Sequence, residues 1–217
     1  TVNRPVSFLN IEYIRVGSVT RKLKDFPQKE SKIWKGNQKA IESIVLKSGL
    51  TEAQVMSLLS SETYFDMMHL PIPSDTKGVM DRFLSEKIIL IDPVGYSITE
   101  LGALLLAKNL ADFDLLRRKS VRVIVYKGKN KLDTTREQQF NSGYALCFKN
   151  LVDWINGQLP MNEEIGTALR TEVRMYPEIA VREIVANMLI HQDLAEQGFP
   201  MVEIYPDRID FSNSGQP

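Results

Sequence analysis

The sequence predicts an α+β fold, and three segments carry that reading. Residues 120–127, Ser-Val-Arg-Val-Ile-Val-Tyr-Lys, are dominated by β-branched side chains and end at Gly128, as a strand does. Residues 176–191, Tyr-Pro-Glu-Ile-Ala-Val-Arg-Glu-Ile-Val-Ala-Asn-Met-Leu-Ile-His, read as a helix with Pro177 in its first turn, where proline is tolerated. Met201–Tyr205 and Arg208–Phe211 read as a hairpin around Pro206-Asp207. A chain of 217 residues that is 43% hydrophobic can bury a real core, in one large domain or two small ones.

The remaining elements follow in order. Glu12 to Val16 alternates and stops at Gly17, which predicts a short strand. Residues 19–38 are charged and broken by Pro27 and Gly36-Asn37, the signature of a boundary or surface excursion. Thr51 followed by Glu52 predicts a capped helix start, and Tyr64–Met68 is a second short apolar stretch ended by Pro71 and Pro73. Residues 76–90 read as a helix with Val79, Phe83 and Leu84 inward, running into Ile88–Ile91. Asp92-Pro-Val-Gly-Tyr reads as a tight turn, and Thr99 caps a helix from Glu100. Helix, short strand, turn, short strand, helix is the order found at the wing of winged-helix DNA-binding domains. A small helical connector gives the same pattern and is the reading preferred. Residues 137–157 read as a helix with Phe140, Tyr144, Leu151, Val152 and Ile155 buried, weakened by Gly143. Residues 162–170 read as a short helix or turn, and Thr171–Arg174 as a strand.

Charge excludes some functions. Lys plus Arg and Asp plus Glu both number 27, so nucleic acid would be held by a local patch and not by the overall field. Arg15, Arg21, Lys22 and Lys24 form one candidate patch. Arg117, Arg118, Lys119 and Arg122, with Lys127, Lys129 and Lys131, form another; an ordinary solvated surface is the reading preferred for both. Cys147 is the sole cysteine and sits among apolar neighbours, so it reads as a core filler in a reducing, cytoplasmic protein without a disulfide. No apolar run is long enough for a membrane-spanning helix. The chain opens on Thr1 and closes on Gly215-Gln216-Pro217, and we expect a segment of a longer protein.

The helix at 176–191 carries the chemistry. Glu183, Asn187 and His191 are spaced four apart and fall within roughly 80° of arc on the helical wheel. Such a stripe is either a solvated face or a polar line sunk among apolar neighbours. Ile179, Ala186 and Ile190 on one side, with Ala180, Ile184 and Met188 on the other, favour the second reading. A carboxylate in such surroundings is costly unless something pairs with it, and a Glu and an Asn one turn apart could hold a polarised water and a metal-bound phosphate.

Several of these stretches resemble one bacterial family. Tyr13-Ile-Arg-Val-Gly-Ser resembles the end of an AlbA/Schlafen-type domain. Ile98-Thr-Glu-Leu-Gly-Ala-Leu-Leu-Leu-Ala-Lys, Val121–Gly128, Ala180–Asp193 and Val202–Gly215 resemble, in order, the segments that follow it. Members are labelled transcriptional regulators or relatives of RecG-type ATP-dependent DNA helicases. The resemblance implies three parts: residues 1–38 as the end of the AlbA/Schlafen-type domain, 39–110 as a small helical, winged-helix-like or connecting segment, and 111–217 as part of a divergent GHKL-type ATPase sandwich. It implies DNA contact through Arg15, Ser18, Arg21 and Lys22, and binding of ATP with magnesium in the full-length protein. A homodimer is a further expectation.

By that resemblance Glu183-Ile-Val-Ala-Asn187 matches the GHKL helix motif Glu-x-x-x-Asn. Asn187 would ligate magnesium, and Glu183 would orient or deprotonate the attacking water. The adenine-reading Asp-x-Gly-x-Gly loop is replaced here by Phe211-Ser-Asn-Ser-Gly215, leaving Asp210 as the nearest acid and Gly215 as its one glycine. The later glycine-rich lid is absent, so any ATPase activity is expected in the longer protein and not in this segment. A helicase motor is not expected, because no Gly-x-x-x-x-Gly-Lys-[Ser/Thr] loop occurs. The alternative reading is a non-catalytic nucleic-acid-binding or dimerisation module on a degenerate GHKL-like scaffold.

Overall fold

The computed structural model describes residues 6–8, 11–16, 19–26, 40–159, 161–165, 170–196 and 198–214, with side chains for 20–26, 40–159, 175–196 and 198–214. The chain is α+β and divides into two units, Thr1–Ala40 and Ile41–Pro217. In the first, β1 (Val6–Phe8), β2 (Ile11–Val16) and β3 (Val19–Lys22) form an antiparallel sheet in the order β1-β2-β3. The strand expected at Glu12–Val16 is β2. A helical turn at Leu23–Asp25 follows and buries Leu23.

The second unit opens with β4 (Val45–Leu50), then α1 (Glu52–Leu58), α2 (Ser61–Met67) and α3 (Thr76–Ser85). Each helix start is fixed by its sequence. Thr51 and Gln54 form a reciprocal capping box, while Ser60 and Asp75 accept from the third amide of α2 and α3. A hairpin of β5 (Ile89–Asp92) and β6 (Gly95–Thr99) follows, then α4 (Glu100–Leu106). Asp92 tightens the hairpin, its carboxylate accepting from the Val94 amide at 3.1 Å and the Ser97 hydroxyl at 2.8 Å. The Thr99 hydroxyl accepts from the Gly102 amide at 3.0 Å, as expected of the cap. The middle segment therefore also holds an antiparallel sheet, in the order β4-β6-β5, with α1 to α3 between its first two strands in sequence.

The rest is built on a mixed sheet in the order β12-β11-β7-β8. β7 (Val121–Tyr126) runs parallel to β11 (Met201–Ile204) and antiparallel to β8 (Thr134–Phe140); β12 (Ile209–Ser212) returns antiparallel to β11. α5 (Tyr144–Gln158) and α6 (Glu178–Ile190) pack together, and α6 lies against β12. Between the helices, β9 (Met161–Ile165) pairs antiparallel with β10 (Arg170–Arg174).

Two expectations are corrected. Residues 137–140 belong to β8 and not to a helix, which starts only at Tyr144. β8 is an edge strand, Thr-Thr-Arg-Glu-Gln-Gln-Phe, exposed along nearly all its length, so it lacks the apolar alternation that marks a half-buried strand. Residues 161–165 form β9 and not a helix or turn; the strand proposed at Thr171–Arg174 is β10.

One apolar cluster runs through this unit, from Val55, Phe65 and Phe83 through Phe113 and Leu151 to Val185, Val202 and Ile204. The middle and C-terminal segments thus share a core. They approach closely at Gly143: a Cβ there would collide with the Leu105 carbonyl, and its amide donates to the Ala107 oxygen at 2.7 Å. Among the described residues no helix is long and apolar enough to cross a membrane.

Candidate functional site on helix α6

Val181, Val185, Met188 and Leu189, at i, i+4, i+7 and i+8, are the buried residues of α6. That pattern turns Glu183, Asn187 and His191 outward, and all three are exposed. The polar line is therefore not sunk in the core, which corrects the expectation of burial. The misleading signal came from its isoleucine neighbours, which are themselves in solvent: Ile179 is 72% exposed, Ile184 44% and Ile190 74%. The result is an open helix face with a carboxylate and an amide one turn, about 6 Å, apart between rows of exposed isoleucine. Neither Glu183 nor Asn187 bonds through its side chain to another described residue. The carbonyl of Asn187 accepts from the His191 amide at 3.0 Å and closes the helix.

The segment after α6 is held firmly. Gln192 donates through its side-chain amide to the Leu189 carbonyl at 3.0 Å and to the Tyr144 hydroxyl at 2.6 Å, while Tyr144 donates to the Lys119 carbonyl at 2.8 Å. The Lys119 ammonium donates to the carbonyls of Asp193 at 2.9 Å and Glu196 at 2.7 Å. Asp193 accepts from the Ala195 amide at 2.9 Å. Lys119 is 2% exposed, and burial lowers its pKa against the opposing pull of Asp193, Glu100 and Glu196. Burial raises the pKa of Glu100, the nearby Lys119 pulling the other way. Asn213 ties the end of β12 to the same helix, donating to the Met188 carbonyl at 2.7 Å. Sequence reading missed Lys119 and Asn213 as members of this network, since their partners lie far along the chain.

The remaining candidates are dispersed. Ile209 and Phe211 pack into the main core, so by strand alternation Asp210 points to the opposite face of the sheet, away from α6. There it accepts from the Arg208 guanidinium at 3.1 Å. Asp210 is therefore not brought together with Asn187. On the same face the buried Glu203 accepts from Tyr126 at 3.1 Å and pairs with Lys131 at 2.7 Å. Gly215 and Ser18 lie outside the described residues. Arg15 is in β2 opposite Thr20, its side chain not among those described, while Arg21 and Lys22 are exposed on β3. The second basic run disperses as well: Lys119 is buried, and Arg117, Arg122, Lys129 and Lys131 pair with Asp114, Glu137, Asp207 and Glu203. Cys147 is buried, which pushes its thiol up to about 11.

The architecture is that of an α+β protein in which a helix pair packs on a mixed sheet beside a smaller sheet and its helices. Its fold is similar to that of the DIP2311 protein from Corynebacterium diphtheriae, with a TM-score of 0.53 and 17% sequence identity over 96% of this chain. The match covers 40% of that chain's length. No protein-family model and no curated protein matches the sequence.

Proposed function

We propose that residues 111–217 supply the floor of a nucleotide site in a longer regulator that also carries a nucleic-acid-binding module. The observation that carries this reading is the outward pair Glu183 and Asn187, without a side-chain partner among the described residues, on a helix whose flanks expose Ile179, Ile184 and Ile190. In this reading the exposed isoleucines would border the bound ligand. Neither side chain bonds to another described residue, which leaves the pair open to a ligand.

In this reading the Asn187 amide oxygen would hold magnesium, which keeps most of its waters and needs few protein ligands. The ion would neutralise phosphate charge. Glu183 would accept a hydrogen bond from the attacking water, and the isoleucines would exclude bulk solvent. The network of Lys119, Tyr144 and Gln192 supports the reading by fixing the helix end. Asp210 does not fit the adenine-reading role, being turned to the other sheet face. Its replacement must come from another part of the protein. Glu183→Ala should abolish ATP hydrolysis by the full-length protein while sparing ATP binding; retained hydrolysis would overturn the role given to Glu183.

A second reading is favoured by the strand order β4-β6-β5, with α1 to α3 between β4 and β5 in sequence. This order is similar to that of a winged-helix module, and in this reading the chain would serve as a non-catalytic nucleic-acid-binding or dimerisation element. The charge on α3 counts against strong DNA contact there. Lys77 and Lys87 stand among Asp75, Asp81 and Glu86, and Arg82 is tied to Glu86 at 2.8 Å and Tyr64 at 2.7 Å. Nucleic-acid contact then rests on Arg21 and Lys22. DNA retardation that weakens steeply with salt and is lost in the double variant Arg21→Ala, Lys22→Ala would support that assignment. Unaltered retardation would overturn it.

A further inference from the structure

A cavity of about 850 Å³ opens between α2, α4, α5 and α6, meeting α6 at Ala186, Leu189 and Ile190 beside the Asn187 line. Its walls are apolar, with Met67, Leu105, Phe148 and Ile190 among them, and it lies where the middle segment meets the helix pair. Small-molecule sites are commonly concave, apolar pockets of roughly 300–1,000 Å³ with a few polar groups that fix orientation. Here those groups include Thr63 and Asp66 on α2, Tyr144, Lys149 and Asn150 on α5, and Gln192 after α6. No ion pair forms at Asp66 or Lys149 among the described residues, although both line the same cavity.

We infer that this cavity binds a small amphipathic anion, its apolar body between the four helices and a single carboxylate or sulfonate on Lys149. The charge argument turns on reach. The Lys149 ammonium rides on a long apolar stem that can lie along the cavity wall while its head meets an anion. The Asp66 carboxylate is short and exposed, and it keeps its hydration at the rim. The Asn150 amide adds a donor next to Lys149 in sequence. The site shares Ile190 with the flank of the nucleotide face but includes neither Glu183 nor Asn187, so Lys149→Gln tests it without touching that pair.

The test uses two naphthalene probes on the 217-residue chain: 8-anilinonaphthalene-1-sulfonate, an anion, and its neutral counterpart N-phenyl-1-naphthylamine. Both should bind saturably at one site with fluorescence enhancement. Ala186→Trp, which fills the cavity, should weaken both at least tenfold. Lys149→Gln should weaken the sulfonate about fivefold and leave the neutral probe unchanged. If Ala186→Trp does not fold by circular dichroism, Leu105→Trp, which fills the cavity from α4 without adding charge, serves the same purpose. Ile184→Gln, on the far flank of α6, should alter neither probe. Binding that is non-saturable, that survives the filling variants, or that Lys149→Gln weakens equally for both probes would overturn the proposal.

Discussion

Lys119 Nζ lies 2.9 Å from the carbonyl oxygen of Asp193, so a lysine just ahead of β7 closes the segment that follows α6. A second bond to Glu196 completes the clamp. Replacing Lys119 with methionine keeps the volume but strands two part-buried carbonyls and leaves Glu100 without its opposing charge. The expected cost is about 2–4 kcal/mol, read as a lower urea midpoint with an unchanged slope. Lys119→Arg, which cannot fit the same pair of acceptors in place of a single ammonium, should recover less than half of that loss.

The Tyr144 hydroxyl links this clamp to Gln192. Tyr144→Phe removes one bond donated to Lys119 and one accepted from Gln192, and should cost about 1–2 kcal/mol by urea unfolding.

Glu100 gives a pH signature. Its folded pKa is raised above the ordinary 4.5 by burial, so the folded state holds the proton more tightly than the unfolded chain. That contribution to stability is fully present below the unfolded pKa and is lost as pH rises through the folded pKa. Urea midpoints of the parent and Glu100→Gln should therefore diverge above pH 4.5, the parent losing ground to the variant. A constant difference across that window would refute the assignment.

Cys147 should be inert while the protein is folded. Burial holds its thiol near 11, so at pH near 8 little thiolate forms and reagent cannot reach it. Labelling by a thiol-reactive disulfide should proceed at the rate of unfolding and become fast in denaturant.

Sequence pattern located most elements wherever one face is apolar. α6 was legible because Pro177 marks its start and Val181, Val185 and Met188 repeat at helical spacing. What the pattern could not show is which apolar residues of α6 meet the core. Ile179 and Ile190 look like buried residues in the sequence and are in solvent in the fold, so the Glu183–Asn187 line was misjudged as sunken. β8 was misread because an edge strand of polar residues carries no alternation. Lys119 sits in a basic run and reads as surface; its burial depends on carbonyls 74 and 77 residues away, which no local signal encodes.

Asn187 decides the central claim most directly, because its side chain bonds to no other described residue. Asn187→Ala should leave stability within about 0.5 kcal/mol, as for surface sites away from special features. Isothermal titration of the full-length protein with magnesium-ATP should then give saturable one-site heat for the parent and none for Asn187→Ala at the same thermal midpoint. Equal binding by both proteins, or no binding by the parent, would contradict the nucleotide site.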